Sequence, residues 1–423
     1  MRRTFPCILL TALLLPGCSR LVTPEVQRPT TTVTVPVTAS VTNEALERQY
    51  GGRVALRTET FAVVGNPTRA PLQGQGAGPQ PQANQNVLSV PSDTPPTFWS
   101  SASKLSWGRS TGDLWSSTVT DWTATAQQLW SGGTYQGLPA NTGAWRRIGL
   151  DNAYANSRLG AGQVIAVVDS GLDLQHPMFT HLLSDPSTWH DFVDGDARPQ
   201  DEGTAGEGAY GHGTVVAGIA AQVAPRAKIM PLRVLDHAGR GDALNVAAAI
   251  VWAVDHGADV INLSLGTAEP FDALQQAIAY ANRQQVLVVA AAGNSDRPEL
   301  DHPAADFAGQ ALSVAVGSVD SDDLKSSFSS YGSAVGLMAP GEQVAAPYPG
   351  ARAGQFSGTS MSTPVVAGAL ALGLSEGASP EGAREALQRA ARRVDLLPGN
   401  SAYQGQLGAG RVNLTDFLDD LDD

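Results

Sequence analysis

The chain has almost no cysteine: two residues in 423, Cys7 and Cys18. Once Cys7 leaves with an N-terminal leader, no intrachain disulfide is available, so stability must come from core burial. Positive charge is also short. Lys and Arg total 27 against 40 Asp and Glu, a formal net charge of −13, which argues against nucleic acid as a partner. The mostly apolar run Cys7 to Leu15 is too short to cross a bilayer as a mature helix. The acidic end, Asp419 to Asp423, reads as a solvated tail.

Glycine and apolar residues are plentiful, at 45 Gly and 42% hydrophobic content, which suits one large α/β domain plus an extension. Strand-like runs are Ile165 to Val168, Ile229 to Leu235, Val260 to Leu265, Val286 to Ala290 and Leu312 to Val316. Helix-like stretches, Asp242 to His256, Asp272 to Gln284 and Val365 to Leu374, fall between and after them. Ser379-Pro380-Glu381 opens a last helix with an N-cap, a first-turn Pro and an early acid. This alternation predicts a parallel sheet with helices on both faces. Ile165 to Val168 is apolar without interruption, as expected of a strand buried on both faces.

Three segments carry chemistry: Val164-Ile165-Ala166-Val167-Val168-Asp169-Ser170-Gly171, Gly211-His212-Gly213-Thr214 and Gly358-Thr359-Ser360-Met361-Ser362-Thr363-Pro364. They supply an Asp, a His and a Ser, the residue types that nucleophilic acyl transfer needs. Asp169 lies at the carboxyl end of its strand, where open α/β sheets place their sites. Ser360 lies between Gly358 and a helix-like stretch, where free N–H groups and positive backbone dipoles are at hand. Any one of the three alone reads as well as an ordinary buried polar residue.

The chain order Asp, His, Ser is the subtilisin order. The sequence resembles the subtilisin family of serine endopeptidases in all three blocks. It does so again in Val223-Ala224-Pro225, Asn262-Leu263-Ser264-Leu265-Gly266 and Ala290-Ala291-Ala292-Gly293-Asn294. The likeness runs from about Trp145 to about Leu418. It implies Ser360 as nucleophile, His212 as general base and then acid, and Asp169 as its orienter. It also implies Asn294 as an oxyanion donor beside the Ser360 backbone N–H. By itself Asn294 reads as a turn residue that tolerates left-handed angles. Ser264-Leu265-Gly266 and Gly239-Arg240-Gly241 resemble the two edges that pair with an extended peptide; on their own they are a strand end and a turn. Asp301, before His302-Pro303, would stand in the pocket for the residue preceding the scissile bond and favour basic side chains, or else is a solvated surface Asp.

Departures from the family pattern bear on metal. His176-Pro177 is followed by Met178-Phe179 where the family often has Asp-Leu, and that Asp commonly ligates calcium. The helix after His212 runs through Ala220-Ala221-Gln222 into Val223-Ala224-Pro225 without the usual calcium-binding loop. No cofactor and no high-affinity metal site are expected, although weaker calcium sites remain open. Val215 and Ser362 stand where the family often has His and Ala.

Upstream, residues 1–18 read as an export signal with Arg2 and Arg3 at its start. Leu15-Pro16-Gly17-Cys18 resembles a bacterial lipobox, which would make Cys18 a lipidated anchor to the membrane. Within 19–97, Thr30 to Thr42 reads as a stalk and Pro67 to Pro96 as linker. Between them, Glu44 to Tyr50 looks helical, and Arg53 to Leu56 and Thr60 to Val64 look like strands, a possible remnant of the family's prodomain. In 98–144, Trp99, Trp107, Trp115, Trp122 and Trp130 recur every 7 or 8 residues. Together with Trp145 they read as anchors onto the peptidase part, with stacking on sugars the other option.

The expectation is a monomeric, exported, envelope-anchored endopeptidase acting on proteins or peptides. It would have a subtilisin-like peptidase domain at 145–418, a largely irregular N-terminal extension and an acidic tail at 419–423. The alternatives are a surface binding protein that keeps the fold with little activity, or a functional Trp-rich segment with the peptidase as its processing device.

Overall fold

The computed structural model describes residues 29–69, 79–84, 86–87, 120–121, 127–128, 136–205, 208–307 and 309–422. A small antiparallel unit comes first: β1 (Thr31–Pro36), α1 (Asn43–Tyr50), β2 (Arg53–Arg57), β3 (Phe61–Gly65) and β4 (Gln82–Ala83), in the order β2-β3-β1-β4. The short strands β5 (Asn86–Val87), β6 (Thr120–Asp121), β7 (Gln127–Gln128) and β8 (Gln136–Gly137) follow, then α2 (Thr142–Arg147) and α3 (Leu150–Asn156).

The main body then unrolls as β9 (Val164–Asp169), β10 (His190–Asp191), α4 (His212–Val223), β11 (Lys228–Arg233), β12 (Gly241–Asp242), α5 (Ala243–Asp255), β13 (Val260–Leu263), α6 (Asp272–Arg283), β14 (Leu287–Ala291), β15 (Ser313–Val319) and β16 (Leu337–Pro340). It closes with the hairpin β17 (Val344–Tyr348) and β18 (Arg352–Phe356), and the helices α7 (Thr359–Ser375), α8 (Pro380–Arg389) and α9 (Leu414–Asp422). The central sheet has seven strands in the order β10-β11-β9-β13-β14-β15-β16, every pair parallel.

Alternate side chains along each strand feed two cores. Ile165, Val167, Val289 and Val316 pack with α4, α7, α8 and α9. Ala166, Val168, Val288 and Ala290 pack with α5 and α6. Two covered faces explain why the strands are apolar throughout. Helix α7 is buried along its length except for Leu374. Among the described residues no helix is long and apolar enough to cross a membrane.

Thr31–Pro36 is a strand, not the stalk read from its composition. It pairs with β3 some thirty residues on, and Val33 and Val35 are buried with Leu46 and Tyr50 of α1. The β-branched alternation that looked like a stalk is that of a half-buried strand. The opposite face of this small sheet contributes Leu56, Phe61 and Val63 to the core of α5 and α6. Arg283 Nη2 donates to Thr60 Oγ1 at 2.6 Å, and Gln82 Oε1 accepts from Asp272 N at 2.9 Å, so α6 is gripped at both ends. Within the stretch read as linker, β4 and β5 are strands. Trp145 lies in α2, buried, with its Nε1 donating to Gln222 Oε1 at 3.3 Å. Trp99, Trp107, Trp115, Trp122 and Trp130 lie outside the described residues, as do residues 1–28 with Cys18.

Candidate active site

Because β9, β13 and β14 run parallel, the segments that leave their carboxyl ends emerge on one edge of the sheet. Asp169 ends β9, Ser264-Leu265-Gly266 follows β13, and Ala292-Gly293-Asn294 follows β14. Helices α4 and α7 begin at the same edge with His212 and, one residue into α7, Ser360. They pack so closely along one face of the sheet that a Cβ on Gly368 would stand 2.6 Å from Val223 Cβ.

Asp169 and His212 are directly joined. His212 Nδ1 lies 2.7 Å from Asp169 Oδ1, and both side chains are wholly buried. A carboxylate on Nδ1 selects the tautomer with the proton there, which leaves Nε2 as a base. The approach of α4 to β9 depends on Gly213, because a Cβ there would lie 2.0 Å from Gly171 O. The Gly213 N–H donates to Ser170 Oγ at 3.0 Å.

A second carboxyl, Asp201, braces the start of α4. It accepts from Gly211 N and Thr214 Oγ1, both at 2.9 Å, on either side of His212. Burial pushes this carboxyl up to about 7; the bonds from Gly211 and Thr214 pull it down and nearby Asp169 adds to the rise. Asp201 was not visible as a site residue in the sequence. Its only sign is an acid ten residues before the Gly-His-Gly-Thr block.

Ser360 differs from expectation in one respect: α7 begins at Thr359, six residues before the predicted start at Val365, so Ser360 lies in its first turn. The early start is possible despite Pro364. Proline lacks the N–H that would bond the carbonyl four residues back, here that of Ser360, and this carbonyl instead accepts from Ser264 Oγ at 2.9 Å. In return Ser360 Oγ donates to Ser264 O at 3.3 Å. Ser362 fits without strain, its hydroxyl donating to Ala339 O at 3.0 Å.

Asn294 is oriented by a residue the sequence reading passed over, Thr359. Asn294 Oδ1 accepts from Thr359 N at 2.8 Å and from Thr359 Oγ1 at 3.0 Å. A backbone N–H can only donate, so the amide oxygen must face Thr359 and Nδ2 must point the other way. First-turn N–H groups of a helix have no intrahelical partner, so the N–H of Ser360 is available as a donor one residue from the Thr359 that Asn294 holds.

The predicted peptide edges divide. Gly241 is in β12, which pairs antiparallel with β5, Gly241 opposite Val87. Gly239 lies in the preceding turn with φ of 76°. Leu265 is buried and Gly266 is half-buried. Asp301 stands against the glycines of the two neighbouring segments: a Cβ on Gly293 would lie 2.5 Å from its Oδ2, and one on Gly266 would lie 3.0 Å from its Cβ. It is largely buried and ion-paired to Arg297 at 2.9 Å, not solvated. Among the described residues no group of three or more His, Cys, Asp or Glu is arranged to hold a metal ion.

Against known proteins, residues 160–410 match the Subtilase family, peptidase S8. Thermitase of Thermoactinomyces vulgaris is 41% identical over 264 residues, which cover 60% of this chain and 88% of thermitase. Subtilisin BL of Lederbergia lenta is 37% identical over 235 residues, covering 53% of this chain and 81% of that one. Among solved structures, a cold-adapted subtilisin-like serine proteinase superposes with a TM-score of 0.51 at 32% identity, covering 61% of this chain and 89% of that one. A lanthipeptide protease gives 0.55 at 28% identity, covering 65% and 92%.

Proposed function

Since the chain belongs to the subtilase family and is a subtilisin-like serine protease, we propose that it cleaves peptide bonds through an acyl-enzyme on Ser360. The observation that carries this reading is the buried 2.7 Å contact between His212 Nδ1 and Asp169 Oδ1 at the same sheet edge as the first turn of α7.

His212 Nε2 takes the Ser360 proton as Oγ attacks the substrate carbonyl. Asp169 holds the imidazole in that tautomer and stabilises the imidazolium that forms. The oxyanion is met by Asn294 Nδ2 and the Ser360 N–H. Collapse expels the amine, which receives its proton from His212. Water then attacks the acyl group with His212 again as base, and Ser360 is released.

The pairing of β5 with β12 supports a latent form of the enzyme. The chain's own Val87 lies on the edge that an extended substrate would use, and the small N-terminal sheet is docked on α5 and α6 behind it. The enzyme is made with this unit in place and matures by its removal. Export, with a lipid on Cys18 as the membrane tether, completes the proposal, on the strength of the basic, apolar and Leu15-Pro16-Gly17-Cys18 segments.

The test is intact mass after fluorophosphonate treatment of wild type and Ser360→Ala, each expressed from Ser19 onward. One adduct on wild type alone, with N-terminal mass lost only there, is expected. An adduct on Ser360→Ala, or near-normal peptidase turnover by Ser360→Ala or His212→Ala, would overturn the mechanism.

A further inference from the structure

We propose that Asn262 is a positioning residue for the nucleophile: its side-chain amide steadies the hydroxyl of Ser264, and through it the backbone of Ser360. This rests on the endopeptidase reading above and adds to it a residue that acts only through its neighbours.

Asn262 is out of place by the logic of its strand. The rest of β13, Val260, Ile261 and Leu263, is apolar, and Asn262 stands opposite Val167 of β9 and Val289 of β14. Cross-strand partners share a face of the sheet. Both valines belong to the core that contains α7, so the amide points into that core, where it is wholly buried. Nδ2 donates to Ser264 Oγ at 2.9 Å, while Oδ1 has no hydrogen-bond partner among the described residues. A buried amide oxygen without a bond costs stability, and an apolar side chain of the same shape would avoid that cost. An amide kept against the needs of the core points to a task for its donor.

The task is to aim one proton. Ser360 O is a carbonyl and can only accept, so the hydroxyl of Ser264, 2.9 Å away, must donate to it. Ser264 Oγ is then left to accept from Asn262, which requires the amide nitrogen, not its oxygen, to face the hydroxyl. The bonds therefore run one way, from Asn262 Nδ2 to Ser264 Oγ to Ser360 O. Ser360 O depends on this supply because Pro364, four residues on, has no N–H to give it. Ser360 in turn donates its own Oγ to Ser264 O at 3.3 Å. The backbone and the hydroxyl of Ser360 are thus both tied to the one residue that Asn262 steadies. With an apolar side chain at 262, the Ser264 hydroxyl is free to turn away, and the first turn of α7 loses its fixed point.

The test uses the full chain from Ser19 onward. Tm is measured, and kcat and KM are read on one peptide substrate after loss of the N-terminal unit. Asn262→Leu matches the amide in shape and carries no polar atom. Expected is a Tm equal to or above wild type, with kcat lower by about 5- to 50-fold and KM within about threefold, between the worth of one neutral hydrogen bond and a misplacement of about 1 Å. In Ser264→Ala, where the relay is already cut, the same leucine should cost less than about twofold more. An ordinary packing residue gives the opposite pattern, a lower Tm with kcat held. That pattern, or an equal loss of kcat with the Ser264 hydroxyl present and absent, overturns the positioning role and leaves the endopeptidase intact. If the leucine variant does not fold, Asn262→Ala decides by the same comparison of kcat in the two backgrounds. Hydrolysis of no peptide by wild type that has lost its N-terminal unit overturns the endopeptidase reading itself.

Discussion

Replacing Gly213 by Ala is the sharpest probe of how the fold sets the chemistry. The added Cβ would stand 2.0 Å from Gly171 O and 3.2 Å from Asp169 Cβ. Neither neighbour is a flexible side-chain tip, so the first turn of α4 must withdraw by about 1 Å or more to restore ordinary contact. His212 is the adjacent residue and goes with it. Its 2.7 Å contact with Asp169 has little slack, since about 1 Å of lengthening leaves hydrogen-bond range. Misplacement of that size costs on the order of 100-fold in rate. The same helix supplies its own control. A Cβ on Gly218 would meet Pro347 Cγ at 2.0 Å, an equal insult placed away from the imidazole. Both alanines should lower Tm by amounts that reflect about 1–3 kcal/mol of overpacking. Only Gly213→Ala should lose about 100-fold or more in kcat/KM on a peptide substrate at a temperature where both variants are folded. Activity within threefold of wild type for a folded Gly213→Ala, or equal losses in the two variants, would refute the reasoning.

Asn294→Ala should lower kcat about 100- to 1000-fold with little change in KM, a range itself measured in a subtilisin; a loss confined to KM would remove Asn294 from the oxyanion site. For Asp201, the folded carboxyl titrates at about 7 against 3.8 for the ordinary group. The folded state therefore holds a proton that the unfolded chain has already lost, and stability falls as pH rises from about 4 to 7. Asp201→Asn should remove that slope, so its Tm gains on wild type between pH 5 and pH 8, with a ceiling of about 3 kcal/mol; a constant difference at the two pH values would count against it. EDTA should leave the melting temperature nearly unchanged, because α4 runs into Ala224-Pro225 with no inserted loop; a drop of about 10 °C or more would reveal a structural metal that the chain is not expected to need.

What could be read from the sequence was what neighbouring residues decide. Ile165 to Val168 announces a strand because both faces are covered by helices, and Asp169 follows it within one residue. The His and Ser blocks carry their glycines beside them. What could not be read depends on partners far along the chain. The helix reads from Val365 onward in the sequence; it starts at Thr359, ahead of Pro364, and Ser264, 96 residues before Ser360, bonds the carbonyl that the proline abandons. Thr31 to Pro36 looked like a stalk because the strand that completes it lies at Phe61–Gly65. Asp201 finds its partners at Gly211 and Thr214, at the start of α4, and Thr359 became visible as the brace of Asn294 only when α7 met the end of β14.

The contrast between a buried helix and an exposed loop has a consequence for descent. Ser360 rides on a helix that is also the centre of the core, so that helix can hardly change without unfolding the protein. Asp301 sits elsewhere, at the end of a loop whose Asp296, Arg297, Pro298 and Glu299 are exposed and whose ends are pinned by backbone bonds at Ala292 and Thr267. Mutation there is cheap in stability. A lineage built on this frame is free to vary that loop while the helix stays the same.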